Sequence, residues 1–455
     1  MKLDVREIIN AVGGRLLCED GKQPENSPLV TSISTDTRAI KPGALFVPIT
    51  GERFDGHDYI AQAIDGGAVC VFTEKQNSPV SKIPLVFVNS TRRALMDLAD
   101  YYRRKHNVKV VAITGSAGKT TTKDMIADIL SQKYKVKRTI KNFNNEIGMP
   151  LSIFQLEDDD EVLVLEMGMN HANEIHELSL VGAPDIAVIT HIGDAHIENF
   201  ANREGILHAK LEITDGLRTD GTVILNGDDP LLTGPVTAEK VSAYKVLYPS
   251  SKNILAAKPI GFQETRCTFI WRDKEINLTV PIPGSHMVMN ALLASVAALE
   301  LGCSPAQITK GFENFIPPEG RLNIFEANEM LIIDDVYNAN PASMIEALKV
   351  LCRKESAQRR RIAILGDMNE LGHAAKERHL ETGAFAAESG LDLLITIGSL
   401  SRHIYEGFNN PAKSLHFAEL SDFHHESILK QGDIVLVKAS RGMAFEEIIK
   451  TLQRR

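Results

Sequence analysis

One junction constrains this chain more than any other feature. The β-branched run Lys109-Val110-Val111-Ala112-Ile113-Thr114 passes directly into Gly115-Ser116-Ala117-Gly118-Lys119-Thr120-Thr121-Thr122, and an amphipathic stretch carrying Met125, Ile126, Ile129 and Leu130 follows. Strand, glycine turn and helix in immediate succession predict a βα unit whose strand lies inside a parallel sheet. In that context glycines let backbone N–H groups close on phosphate oxygens, and the helix N-terminus adds partial positive charge. Lys119 can then neutralise the outer phosphates and the Thr120 hydroxyl can reach Mg²⁺. Gly115 to Thr121 therefore predict a Mg-ATP site. Longer loops of this kind carry a glycine five places before Gly118, where this chain has Ile113, so the loop is a shorter subtype.

At 455 residues the chain exceeds the roughly 250–300 residues that one core can serve, so two to four domains are expected, and the pattern of elements divides it into three blocks. Residues 1–84 read as a small α/β unit, with an amphipathic helix at the start, turn-rich Ser34 to Gly43, and strands at Ala44–Ile49 and Val69–Phe72. Residues 85–320 alternate apolar strands with helices, as at Glu161–Leu165, Asp185–Thr190 and Thr222–Leu225. Continuous β-branched runs suit strands buried on both faces, which predicts a doubly wound sheet with ligands at the strands' carboxyl ends. Pro317-Pro318-Glu319-Gly320 punctuates the chain as a hinge. Residues 321–455 then carry strands at Leu331–Ile333, Arg361–Leu365, Leu393–Ile397 and Asp433–Val437, a second, Rossmann-like sheet.

Composition excludes several classes of function. With 44% hydrophobic and 24% charged residues and no apolar run near the ~20 residues that span a bilayer, the chain is not membrane-embedded. The charged N-terminus lacks a secretory apolar segment, so a cytoplasmic location is expected. Cys18, Cys70, Cys267, Cys303 and Cys352 are scattered and without CxxC spacing, which argues against a disulfide framework or a zinc site. A formal charge of −9 argues against a nucleic-acid partner. The basic runs Arg103-Arg104-Lys105 and Arg359-Arg360-Arg361 read as solvated helix or loop ends.

Other candidates are weaker on residues alone. Glu166 follows the strand ending at Leu165, where a carboxylate can meet magnesium or its water shell. His191-Ile192-Gly193-Asp194-Ala195-His196 places two histidines and a carboxylate at another strand end; either histidine is a ligand or a structural side chain. Lys210, on a helical stretch, reads as solvated.

Two runs, Gly115 to Asp124 and Lys141-Asn142-Phe143-Asn144-Asn145-Glu146-Ile147-Gly148-Met149-Pro150, resemble the Mur ligases of peptidoglycan synthesis. Ile333 to Pro341, Gly366-Asp367-Met368-Asn369-Glu370-Leu371-Gly372 and Lys438 to Met443 are similar to the members that add D-alanyl-D-alanine. Asp36-Thr37-Arg38, Lys41-Pro42-Gly43 and Gly51 to His57 resemble their UDP-sugar domain.

The resemblance spans nearly the whole chain. It implies the three-domain α/β Mur ligase architecture, with a P-loop central parallel sheet. It further implies ATP-driven joining of D-alanyl-D-alanine to UDP-N-acetylmuramoyl-tripeptide through an acyl phosphate, by a monomer. Lys119, Glu166, His196 and Lys210 match catalytic positions. Thr120, Glu166, His196 and Lys210 are implied around two magnesium ions, with Lys210 carrying a CO2-derived carbamate. Asn290, Arg321, Asp335, Tyr337, Asn338 and Asn340 are implied at the nucleotide with the loop residues Gly115, Ser116, Ala117, Gly118, Lys119, Thr120 and Thr121. Asp36, Thr37, Arg38, Asp55, Gly56, His57, Asn142, Asn144, Asn145, Ser440 and Arg441 are implied at the peptide and UDP-sugar substrates.

Local roles compete with several of these. Asn290 can be a solvent-facing helix residue, Asn340 a helix cap, and Ser440 and Arg441 a loop-stabilising pair. Asp36 to Arg38 and Asp55 to His57 can simply form turns. Rival functions are another ligase of the superfamily, folylpolyglutamate synthetase among them, and a P-loop nucleotide switch that catalyses no ligation.

Overall fold

The junction at Thr114 sits in the middle of a six-stranded parallel sheet. This computed structural model describes residues 1–17, 28–51, 53–76, 82–353 and 359–454; Cys18 and Glu52 lie outside them. Across the sheet the strands run Lys245–Leu247, Thr222–Leu225, Ile186–Ile189, Lys109–Thr114, Val162–Glu166 and Val136–Arg138. From Lys109–Thr114 the chain first winds to one side, then crosses and winds to the other. That reversal makes the carboxyl end of Lys109–Thr114 the topological switch point, where open α/β sheets bind ligands. The register aligns Glu166 with Ile113 and Ile189 with Thr114, so three strands end together around the glycine loop.

The C-terminal sheet also has six strands, ordered Asn323–Ala327, Met330–Asp334, Ile434–Lys438, Arg361–Gly366, Leu393–Ile397 and Ser414–Phe417. Its first two form an antiparallel hairpin and the remaining pairings are parallel. Ile362, Ala363, Ile364 and Leu365 are all fully buried, as a strand covered on both faces requires.

Near the N-terminus, five strands form a mixed sheet in the order Arg15–Leu17, Leu85–Phe87, Ala68–Thr73, Ala44–Phe46 and Ser32–Ser34. Leu85–Phe87 lies just beyond the boundary expected after residue 84, yet it pairs with Ala68–Thr73 on one side and Arg15–Leu17 on the other. Hydrogen bonding ties it to the first sheet, because its edges are satisfied there. The first helix, Val5–Val12, is set by a capping box between Asp4 and Glu7 and closed by Gly13 at φ 58°.

Besides the short antiparallel pair of Leu3–Asp4 with Leu29–Val30, one larger sheet was not expected from the sequence. Ile254–Ile260, Glu264–Trp271 and Lys274–Val280 form an antiparallel meander within the second block. Its signal is a period of two, with Thr265, Cys267 and Phe269 buried while Arg266 between them is exposed. A continuous apolar cluster runs from Leu3 and Ile8 through Val111, Leu163 and Val188 to Leu348 and Leu436, linking all three blocks. Ile332, Ile364 and Val435 belong to a separate cluster on the C-terminal sheet.

The basic runs are less solvated than expected. Arg103 is only 4% exposed, and burial lowers its pKa. Arg360 and Arg361 are tied to Asp433 and Asp392.

Candidate active site

Tight backbone contacts shape the glycine loop. Gly115 has φ 147°, and a Cβ there would lie 2.0 Å from Thr190 Oγ1; Gly118 has φ 81°, and its Cβ would meet the Asn290 side chain at 2.7 Å. Both positions therefore demand glycine. The Ser116 N–H donates to His191 O (2.8 Å), Thr190 Oγ1 to Ala117 O (2.5 Å), and Lys119 Nζ to Gly115 O (2.8 Å). The helix Lys119–Leu130 begins here with no side-chain cap among the described residues. Its first N–H groups thus face the loop's concavity, the arrangement that receives an anion.

Around this loop lies a cavity of about 290 Å³. The central sheet contributes Ser116, Ala117, Gly118, Lys119, Thr120, Thr121, Asn142, Asn144, Asn145, Glu166 and His196, and the C-terminal block contributes Arg321, Asp335, Tyr337, Asn338 and Asn340. Lys438 and His286 also line it and were not singled out from the sequence.

The cavity's charge balance is unusual. Glu166 is 1% exposed; its Oε1 accepts from Asn144 Nδ2 at 2.8 Å, and its Oε2 has no hydrogen-bond partner among the described residues. Lys210 is fully buried, which overturns its reading as a solvated lysine, and its Nζ is likewise unpartnered among them. Burial first, and the neighbouring charge of Lys119 second, push the Lys210 amine well below its ordinary pKa, against the opposing pull of Glu166. Desolvation also lowers Lys119. Unpartnered buried groups cost free energy unless something supplies the missing contact. A divalent cation held at Glu166 would supply the partner that its Oε2 lacks.

The two histidines after Ile189 part company. His191 Nδ1 is held by Asp229 Oδ2 (2.9 Å), which also accepts from the Ile192 N–H, so His191 fastens a loop. His196 lines the cavity, with φ 63° and its Nδ1 2.8 Å from Glu370 Oε2. Asp194, between them, is held by Arg203 and Arg378 and does not line the cavity.

From the C-terminal side, Arg321 reaches Thr120 Oγ1 at 3.0 Å and lies over the Tyr337 ring, 4.0 Å from its centroid. Asp335 is fixed by Lys438 Nζ (2.5 Å) and the Leu322 N–H (3.1 Å). Burial raises its pKa, against the pull of Lys438. Asn340 does cap the helix Pro341–Leu351, in a reciprocal box with Ser343, while also lining the cavity. Asn290 is 5% exposed, so the solvent-facing alternative is removed. Ser440 is buried, accepting from the Asn369 N–H and donating to Ala339 O; Arg441 is exposed and lines a wider neighbouring cleft shared with Thr120, Arg321 and Tyr337.

The N-terminal motifs lie outside this cavity. Asp36 caps the turn Thr37–Ala39 and binds the exposed Arg38 by two oxygens. Asp55 caps the turn Gly56–Tyr59, and its carboxyl is held down first by the His57 N–H. His57 is 7% exposed with both ring nitrogens engaged, Nδ1 toward Asp55 (2.7 Å) and Nε2 accepting from the Glu74 N–H (3.1 Å). These residues build turns.

Comparison with known proteins decides the family. Three family models match in order along the chain: the Mur ligase family, catalytic domain over residues 29–103, the Mur ligase middle domain over 113–298, and the Mur ligase, glutamate ligase domain over 320–441. The UDP-N-acetylmuramoyl-tripeptide--D-alanyl-D-alanine ligase of Bacillus subtilis is 36% identical, over 99% of this chain and 98% of its own. The chain belongs to the Mur ligase family. The Escherichia coli protein of the same name is 33% identical over 93% of each chain. Among solved structures, MurF from Acinetobacter baumannii superposes on this Mur ligase with a TM-score of 0.92 at 29% identity, covering 100% of this chain and 99% of that one. MurF ligase from Thermotoga maritima in complex with ADP gives 0.81 at 27% identity, covering 93% and 97%.

Reading of single residues missed Lys438, which lines the cavity, and Glu370, which contacts His196; each lay in a motif recognised as a whole, and nothing local marked the side chain. Lys123 is 2% exposed and donates to Thr139 O at 3.0 Å, just past the edge strand Val136–Arg138.

Proposed function

We propose that this enzyme joins D-alanyl-D-alanine to UDP-N-acetylmuramoyl-tripeptide at the expense of ATP, releasing ADP and phosphate. The observation that carries the reading is the cavity itself: the Gly115–Thr121 loop, Glu166 and His196 on one wall face Arg321, Asp335 and Tyr337 on the other. A switch protein needs the loop; a ligase needs the second wall, because two further substrates must meet the transferred phosphoryl group.

A carboxylate resists attack by an amine. The γ-phosphoryl group of ATP is therefore transferred to the tripeptide's terminal carboxylate, with ADP leaving. The amine of D-alanyl-D-alanine attacks the acyl phosphate, a tetrahedral intermediate forms and loses a proton, and phosphate departs as the amide bond closes. Lys119 and the loop N–H groups hold charge on the transferring phosphoryl group, a positional and electrostatic task. Arg321 bridges the two walls and holds the nucleotide from the C-terminal side. Closing the walls keeps water from the acyl phosphate.

Magnesium neutralises phosphate charge and polarises the phosphoryl group. In our reading Thr120, Glu166, His196 and Lys210 hold two such ions, Lys210 as its carbamate. Supporting this, the Lys210 amine is buried, without a hydrogen-bond partner among the described residues and near a second cation, so conversion to an anion turns repulsion by Lys119 into attraction. We assign UDP-sugar binding to the first block and carry its sheet past Leu85–Phe87, ATP to the second, and the dipeptide to the third, with Arg441 at its cleft. Asp36 to Arg38 and Asp55 to His57 then shape the UDP-sugar surface as turns. ATP and a UDP-linked substrate suit the cytoplasm; among the described residues no helix is long and apolar enough to cross a membrane.

Phosphate release is the test, measured with ATP, UDP-N-acetylmuramoyl-tripeptide and D-alanyl-D-alanine and with each omitted in turn. Release is expected only when all three are present. Release indifferent to both peptide substrates would favour the nucleotide switch.

A further inference from the structure

Glu370 occupies a position that neither the phosphate loop nor the nucleotide wall explains. It belongs to the C-terminal block, yet its Oε2 lies 2.8 Å from Nδ1 of His196 in the central block, an ion-pair contact rather than an in-line hydrogen bond. Both residues are left-handed without being glycine, His196 at φ 63° and Glu370 at φ 65°. Such conformations persist only where surrounding contacts over-determine them, and they gather at functional sites. Two such contacts are present here. The Glu198 N–H donates to Glu370 O at 3.3 Å, and Gly372, at φ 50°, packs so closely that a Cβ would lie 2.8 Å from that of Glu198. Two strained turns from different blocks are therefore docked on each other, with one carboxylate aimed at one imidazole. Beside them, Arg378 of the C-terminal block reaches Asp194 Oδ2 at 3.1 Å, a separate strap that does not touch His196.

We propose that Glu370 is the positioning residue for His196: it orients the imidazole through Nδ1, presents Nε2 to the metal, and so completes the metal site only when the C-terminal block docks. The inference rests on His196 as a metal ligand. A metal-bound histidine ordinarily has its second nitrogen held by a carboxylate or carbonyl, which fixes the ring and raises its basicity. In this chain that carboxylate comes from another block. The consequence is that metal affinity and block docking are coupled, because the same side chain serves both.

The test uses Mn²⁺ alone as the probe, titrated into the full chain without nucleotide and followed by loss of the free-ion EPR signal. Glu370→Gln is expected to weaken Mn²⁺ about 10–100-fold, His196→Ala at least as much, and the double variant no more than His196→Ala. Arg378→Ala, which loosens docking but keeps the Glu370 carboxylate, should weaken Mn²⁺ clearly less than Glu370→Gln does. Unchanged binding in Glu370→Gln beside weakened binding in His196→Ala overturns the role of Glu370 and leaves His196 standing. Equal weakening in Arg378→Ala and Glu370→Gln also overturns it, since docking alone would then account for the effect. No difference between His196→Ala and the unsubstituted chain removes His196 as a ligand, and this proposal with it.

Discussion

His57 and His196 are both histidines beside a carboxylate, and they behave oppositely. His57 is buried with both nitrogens engaged, one toward Asp55 and one accepting from the Glu74 N–H, so its imidazole has nothing left to offer a ligand. His196 lines the central cavity, with one nitrogen turned to Glu370. The contrast extends to their surroundings. Around His57 the polar atoms close on one another and form a turn. Near His196, Glu166 Oε2 and the buried Lys210 Nζ have no hydrogen-bond partner among the described residues. Self-satisfied polar groups stabilise a fold, whereas unsatisfied buried ones lower stability and mark where chemistry is expected.

The comparison can be broken at its strongest point first. Lys119→Ala should reduce turnover by about 10³-fold or more, the scale of losing a main electrostatic stabiliser of phosphoryl transfer. Circular dichroism should show the fold unchanged, and near-normal phosphate release would remove Lys119 from the mechanism. Lys210→Ala is expected to cost at least about 10²-fold in turnover, with circular dichroism showing a folded protein; near-normal turnover would remove Lys210 from the mechanism.

The histidine pair offers a cleaner separation. His57→Ala should destabilise by about 1–3 kcal/mol, because the Glu74 N–H and Asp55 lose a buried partner, and the stable fraction should retain its rate of turnover. His196→Ala should do the reverse, with turnover falling and the urea midpoint nearly constant. If both variants lost stability alone, the distinction drawn between the two sites would fail.

A smaller effect concerns Glu346, which bridges Ser285 and His286 to the helix Pro341–Leu351. Its carboxyl is held at about 2, from an ordinary 4.5, chiefly by His286 and then by Lys349, against the effect of burial. A carboxylate depressed in the folded state contributes stability above its unfolded pKa and loses it as pH falls through the folded one. Glu346→Gln should therefore flatten the fall in urea midpoint between pH 4.5 and pH 2 relative to the unsubstituted chain. Parallel curves would show that this pair contributes nothing to stability.

Much of the architecture was legible because it repeats locally. Continuous apolar runs such as Val162–Leu165 are long, β-branched and flanked by turns, and each became a strand of a parallel sheet. The meander at residues 254–280 was harder to read: its strands are half exposed, and Lys258 and Arg266 interrupt the apolar signal. Leu85–Phe87 is three residues long, too short to announce which sheet it would join.

At the site the division is equally physical. The sequence by itself determined the Gly115–Thr121 loop, because strand, glycines, lysine and helix are contiguous and their geometry follows from neighbouring dihedral angles. Through whole motifs it also identified the family. His196 and Lys210 were implied by the resemblance, but tertiary structure was needed to bury Lys210, to turn His191 to Asp229 while His196 lines the cavity, and to bring Glu370 to His196. Those facts depend on which surfaces from distant parts of the chain exclude water from one another. That outcome is set by packing across blocks, and no local run of residues encodes it.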